Sequence, residues 1–547
     1  MKKILFITLV FISIVSFAKK NKNQPTATQQ QPKLVIGLVI DQMRWDYLYR
    51  FHDKYTSNGF NLLTEKGYNC EFAHYNYVPT YTAPGHTSIY TGTVPAVHGI
   101  IGNGWYDKIS KKSIYCVTDD NFNTVGSNTD AGNASPKNML TTTIGDELKI
   151  SNANKSKVIG IAIKDRSAIL PAGHAADAAY WFDGKTGKWI SSTYYMKSLP
   201  NWVETQNKII QQDKFDATKW ETLLALQDYH ESTEDNVSWE ANYDNESAPV
   251  FAHDVEALLE DDHDILKALP YGNTMTLNLA KACIQHENLG KGNFTDLLCV
   301  SLSSTDIIGH QFGCNAVEIE DMYLRLDKDI ASFIAFLDNQ LGRDNYVFFL
   351  TADHGAANNA SFLQSHRIPA GNEISKVFKA KMDSFLIAEF NNKNYIESIS
   401  NQQVFFNHDV LDKDAALLEK VKQKTTQFLL SFEEIADVID LSAVEQATLV
   451  APYKMMITNS YNKNRSGDLY IQLQPAWMSD YIQGTTHGSA YNYDTHIPMI
   501  FFGNHIPAGK DYSQRYISDI AATISAILKI QEPNGCIGKP VEGALKK

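Results

Sequence analysis

The sequence predicts an α/β fold: a mostly parallel central sheet flanked by helices, with inserted loops or subdomains over one edge. Two observations carry this. Five segments are apolar runs of strand length without alternation, the pattern of strands covered on both faces. Between the third and fourth lies an amphipathic helical pattern, so strand, helix and strand follow one another as a crossover unit.

Taken in order, the chain opens MKKILFITLVFISIVSFAKK: two lysines, an apolar run from Ile4 to Phe17, then small Ser16 and Ala18 at a cleavage point. This reads as a signal peptide over 1–18, too short and wrongly flanked for a membrane span. No cysteine stands directly after Ala18, which argues against a lipid anchor. Residues 19–32 are polar and turn-prone, with too little apolar surface to offset the entropy of ordering, and read as a flexible leader. From 33 to 547 one catalytic domain is expected, exported across the inner membrane to the periplasm or beyond and carrying no membrane anchor.

The five runs are KLVIGLVID (33–41), KVIGIAIKDR (157–166), DLLCVSLSSTD (296–306), NYVFFLTADHG (345–355) and HIPMIFFG (496–503). Ile319, Tyr323, Leu326, Ile330, Phe333 and Leu337 step by four and three residues, a helix closed by Gly342. SDIAATISAILKI (518–530) reads as a C-terminal helix on the sheet. Two stretches break this rhythm: residues 181–255, with five of the eight tryptophans, and 361–465, with a helical run near 413–436. Both are expected as insertions above the sheet. The GKT within DGKTGKW lacks the upstream glycine of a phosphate-binding loop and reads as a hairpin turn.

A formal charge of −13 argues against a nucleic-acid partner, so an anionic ligand needs a local positive cluster. Six cysteines in an exported chain allow up to three disulfides, and none has the C-x-x-C spacing of a thiolate metal site. Cys299, inside an apolar run, reads as core.

In open α/β sheets ligands bind beyond the carboxyl ends of the strands. The first four runs end in Asp41, then Lys164 and Arg166, then Asp306, then Asp353 and His354. Asp306 and His310, four apart, share a face if the segment is helical, and His487 lies in GTTHGS before the last run. Oxygen and imidazole donors without thiolates suit catalytic zinc. With Thr82 they supply seven groups, enough for two ions.

Four aliphatic hydroxyls in NYVPTYTAPGHTSIY (76–90), those of Thr80, Thr82, Thr87 and Ser88, compete for a chemical role. Zinc lowers the pKa of bound water from about 15.7 to about 7, worth about 12 kcal/mol of anion stabilisation, much of which a ligated threonine oxygen can use. Pro84 suits the first turn of a helix, which puts Thr82 at its positive end. Thr87 and Ser88 fall inside the helix and Thr80 in the approach. Lys164-Asp-Arg166, read as strand-like, points both cations one way toward an anion. Asn103 in IIGNGWYD can add an amide donor or make a turn.

VIDQMRWDYL, PTYTAPGHTS, GNGWYD, IKDRSA, SSTDIIGH, TADHG, GTTHGS and YDTHIPMIFFG, in this order across nearly the whole chain after the leader, resemble the alkaline phosphatase superfamily. The likeness is greatest to its PafA-like periplasmic phosphate monoesterases with a threonine nucleophile. The resemblance implies that Thr82 is the nucleophile and, with Asp41, Asp353 and His354, a ligand of one zinc. It implies that Asp306, His310 and His487 hold the second zinc, and that Asn103, Lys164 and Arg166 bind the phosphoryl oxygens. It further implies a phosphothreonine intermediate, with small-molecule phosphate monoesters as substrates. The alternatives are a nucleotide pyrophosphatase/phosphodiesterase of the same superfamily and a non-catalytic metal-binding protein. A monomer is the expected oligomeric state.

Overall fold

The computed structural model describes residues 31–212, 219–373, 375–391, 395–479 and 481–545. The signal-peptide expectation for 1–18 and the leader up to residue 30 lie outside them. Ten strands form the main sheet: β1 Leu34–Ile40, β2 Tyr68–Cys70, β3 Thr124–Val125, β4 Val158–Ala162, β5 Ala178–Asp183, β6 Lys188–Ser192, β7 Asp296–Leu302, β8 Tyr346–Thr351, β9 Met499–Gly503 and β10 Gly509–Asp511. Their order is β10-β2-β9-β8-β1-β7-β4-β5-β6-β3.

The middle of this sheet is parallel: β8, β1, β7, β4 and β5 run the same way. β9 lies antiparallel to β8, and β6 antiparallel to β5. This is the predicted fold class. β1 is buried at every position, as an apolar run without alternation requires when helices cover both faces. β1 lies between β7 and β8, so the crossover leaving β7 steps over it.

Five helices frame the site: α1 Thr82–Thr91, α2 Asp165–Ala172, α3 Ser304–Phe312, α4 Val317–Gln340 and α5 Asp519–Leu528. Ile319, Tyr323, Leu326, Ile330, Phe333 and Leu337 of α4 are all buried, the apolar stripe read from their spacing.

The structure corrects three expectations. Trp181–Ser192 belong to the central sheet and not to an insertion: β5 and β6 pair as a hairpin, with DGKTGKW at its turn. Trp181 and Trp189 are buried there, so aromatic content marked core in this stretch. The Lys164-x-Arg166 segment is not strand-like. β4 stops at Ala162, Lys164 is the N-cap of α2 and Arg166 lies in its first turn. All six cysteines are free.

Within 361–465 the chain builds a second, four-stranded sheet with one strand beyond that stretch, in the order Ile396–Ser400, Gln403–Phe406, Leu469–Leu473, Ile435–Asp440. It has its own apolar cluster, with Met382, Leu386, Val404, Leu411 and Val421 at its centre.

Candidate active site

At the carboxyl end of β1, Asp41 is fully buried. The next residue, Gln42, takes the left-handed conformation (φ 63°). That turn lets Gln42 bond to both sides of the site: its amide donates to Asp353 Oδ1 at 3.1 Å and its Nε2 to Asp306 Oδ1 at 2.7 Å. Gly309 makes the room, since a Cβ there would lie 1.9 Å from Gln42 Oε1.

α3 begins just beyond β7 and carries Asp306 and His310 one turn apart, with His310 Nε2 3.2 Å from Asp306 Oδ1. His487 Nε2 is 3.6 Å from the same oxygen. These three residues offer donor atoms within 4.8 Å of one another, the grouping the resemblance implies. A second convergence joins Asp41, Asp306 and His354. Asp353, expected in that set, has Oδ2 3.5 Å from His354 Nε2, which is itself 3.5 Å from Asp41 Oδ1.

The donor chemistry fits metal ions. Each histidine spends Nδ1 on a backbone carbonyl: His310 on Thr485 O at 2.7 Å, His354 on Gly355 O at 3.0 Å, and His487 on Thr80 O at 2.7 Å. A carbonyl only accepts, so Nδ1 carries the proton and Nε2 presents its lone pair inward. Asp41 Oδ1, Asp353 Oδ2 and His354 Nε2 are buried without hydrogen-bond partners. Buried polar atoms of this kind are costly to leave unmatched, and a cation would satisfy all three.

Electrostatics point the same way. Burial pushes His354 down to about 3 and His487 well below the usual histidine value, so both rings are neutral. They stack with centroids 3.4 Å apart. Burial, reinforced by the nearby Asp41, pushes Asp353 well above the carboxylate range, which marks a shortage of positive charge there. Burial also opposes the Asp306 anion, but His310 and Lys164 outweigh it and hold Asp306 well below its ordinary value.

Lys164 meets the same shortage. Its Nζ lies 2.8 Å from Asp41 Oδ2 and 2.5 Å from Asp306 Oδ2. Arg166 points elsewhere: Nη1 donates to Tyr115 OH at 3.1 Å, and that hydroxyl donates to Asp165 Oδ1 at 2.6 Å. Arg166 Nε is buried without a partner.

Thr82 is the first residue of α1 and is buried; the cap position is Tyr81, and no side chain caps the helix. The Thr82 hydroxyl is therefore not spent on capping. Asn103 Oδ1 accepts from the Ala83 amide at 2.8 Å, which ties Asn103 to the start of the helix. The other three hydroxyls are occupied: Thr80 donates to Ser489 O at 3.0 Å, Thr87 to Ala83 O at 2.7 Å, and Ser88 pairs with His98 Nε2 at 3.0 Å.

Gln42 and Tyr115 were not singled out in the sequence. Neither has a local signal: Gln42 depends on a left-handed turn, and Tyr115 on the antiparallel pairing of Gly104–Asp107 with Lys112–Tyr115.

The family described as Type I phosphodiesterase / nucleotide pyrophosphatase matches residues 35–496. The chain is 44% identical over 551 residues to alkaline phosphatase PhoV of Synechococcus elongatus, covering 100% of both. It is 42% identical over 521 residues to alkaline phosphatase PafA of Elizabethkingia meningoseptica, covering 95% of each. A Myroides odoratus protein named a calcium-transporting ATPase is 45% identical over 523 residues, again 95% of each; no described helix of the present chain is long and apolar enough to cross a membrane. The crystal structure of wild-type PafA superposes with a TM-score of 0.92 at 42% identity, covering 94% of this chain and 99% of that one. The chain thus belongs to the Type I phosphodiesterase / nucleotide pyrophosphatase family, within the alkaline phosphatase superfamily, and is an enzyme of its alkaline phosphatase branch.

Proposed function

We propose that the protein is a zinc-dependent phosphate monoester hydrolase that uses Thr82 as nucleophile, passes through a phosphothreonine and releases inorganic phosphate. The observation that carries this reading is the convergence of three Nε2-presenting histidines with Asp41 and Asp306, joined by Asp353 at His354, near the helix that Thr82 opens. Asp41, Asp353 and His354, with Thr82, would hold one ion, and Asp306, His310 and His487 the other. Bound there, the ions would lower the pKa of hydroxyls and offset charge on oxygen during phosphoryl transfer.

The chain's own part is positioning. Thr82 Oγ faces the phosphorus from the positive end of α1 and forms the new P–O bond as the ester oxygen departs on the far side. Asn103 Nδ2 donates to one phosphoryl oxygen. The Arg166 fork, held by Tyr115, takes others, and Lys164 adds a point charge beside them. Water then cleaves the phosphothreonine and restores the hydroxyl. The signal peptide read over 1–18 would export the chain to the periplasm or beyond.

A second reading, phosphodiester hydrolysis, is favoured by the description of the family that matches. Lys164 and Arg166 argue for the monoester, whose dianion has three non-bridging oxygens to satisfy. The test compares turnover of p-nitrophenyl phosphate, bis(p-nitrophenyl) phosphate and p-nitrophenyl sulfate by one purified sample of known zinc content. Monoester turnover far above the other two, lost on chelation and restored by zinc, is expected. Preferred diester turnover would replace the proposal with the second reading.

A further inference from the structure

His86 is fully buried one turn into α1 and has no part in the donor sets above. Its Nδ1 lies 2.9 Å from Thr82 O and 3.2 Å from Asp353 Oδ2. Thr82 O only accepts, so Nδ1 carries the proton and donates it there, while the same nitrogen stands in close contact with Asp353 Oδ2, which no hydrogen bond satisfies. Nε2 then accepts from Ser301 Oγ, 2.8 Å away near the end of β7. One imidazole thus joins the helix that carries Thr82, the loop that carries Asp353 and the strand that leads to Asp306.

The approach that makes this possible depends on the preceding residue. A Cβ on Gly85 would lie 2.4 Å from Asp353 O and 2.8 Å from Asp353 Cβ. The Pro-Gly-His run therefore lets the first turn of α1 press on the Asp353 backbone. Asp353 Oδ1 is fixed by the Gln42 amide, and Oδ2 lies against the His86 ring, 3.2 Å from Nδ1.

We propose that His86 is a positioning residue: it locks the Asp353 carboxylate to the first turn of α1, so that a metal ligand and the nucleophile keep one fixed relation. This rests on the reading of Asp353 and Thr82 given above. Groups that orient a metal ligand in this way are worth about 10–100-fold in metal affinity or activity.

The test uses the full chain with His86→Ala, His86→Asn and His86→Gln. An asparagine amide can stand where Nδ1–H was, whereas glutamine places its amide near Nε2. Zinc affinity is read by competition with a chromophoric chelator, and kcat and KM with p-nitrophenyl phosphate. His86→Ala should lose about 10–100-fold in zinc affinity and in kcat with KM little changed. His86→Asn should recover most of both losses, and His86→Gln should not. Wild-type zinc affinity and kcat in His86→Ala, or His86→Gln rescuing as well as His86→Asn, would overturn the proposal. If His86→Ala does not fold, the Asn and Gln pair decides by the same measurements. Should the wild type hydrolyse no monoester, the functional reading fails, while the chelator ratio between the Asn and Gln variants still decides for His86.

Discussion

Lys164 Nζ lies 2.5 Å from Asp306 Oδ2, and the same ammonium reaches Asp41 Oδ2 at 2.8 Å. One cation is thus shared by a carboxylate from each of the two expected metal sets. Burial works against the ammonium, but Asp306 and Asp41 outweigh it and hold Lys164 above its ordinary value.

Replacing Lys164 by alanine should therefore remove a positive charge beside the proposed phosphoryl site. Hydrogen bonds to charged groups contribute about 1.5–3 kcal/mol, roughly 10–150-fold in kcat/KM for p-nitrophenyl phosphate. Diester turnover, which needs fewer phosphoryl contacts, should change far less. Equal losses on both esters would argue against the monoester assignment of this residue.

Thr82→Ala should lower kcat for p-nitrophenyl phosphate by about 10³-fold or more, the scale on which loss of a nucleophile acts. Zinc measured by elemental analysis should remain bound, because the aspartates and histidines are untouched. Thr82→Ser keeps the hydroxyl and should retain much of the activity.

Tyr115→Phe should loosen Arg166 without removing its charge. The lost hydroxyl bonds both Arg166 Nη1 and Asp165 Oδ1. About 1–2 kcal/mol is at stake, a factor of about 5–30. It should be read as weaker competitive inhibition by inorganic phosphate, with zinc content unchanged.

His408 gives a pH prediction outside the site. Its hydrogen bond to Asp468, at 2.8 Å, and a second to Asp412, at 2.7 Å, raise it to about 9 against the opposing effect of partial burial. A raised folded pKa stabilises below the unfolded value of about 6.5 and loses that stabilisation as pH rises through about 9. Wild type should thus exceed His408→Gln in Tm at pH 6, and the two should converge above pH 9. A gap that persists at pH 10 would exclude this ionic contribution.

Much of the fold was legible because its signals are local. β1 and β4 lie inside the first two apolar runs, and α4 covers the stripe from Ile319 to Leu337. Where a local pattern supports two structures, the reading failed. Lys164-x-Arg166 has strand spacing, yet a helix begins at Asp165. Trp181 and Trp189 suggested an insertion, yet they fill the core behind β5 and β6.

Of the candidate site, Asp41, Asp306, Asp353 and His354 were readable as polar residues closing apolar runs. His310 was readable from its helical spacing to Asp306. Gln42, His86 and Tyr115 were not, since each acts through a partner remote in the chain: Gln42 Nε2 bonds Asp306, 264 positions away, and His86 Nε2 bonds Ser301, 215 positions away.

The sequence by itself determined which strands and helices form and which chemically able side chains stand at their ends, because apolar periodicity and helix-start chemistry act over a few neighbouring residues. Only the tertiary structure decided that β1 lies between β7 and β8, that Lys164 turns to Asp41 and Asp306 while Arg166 turns to Tyr115, and that Gly85 lets His86 meet Asp353. Those relations depend on the order of strands in the sheet and on how closely two backbones can approach, and no short stretch of chain encodes either.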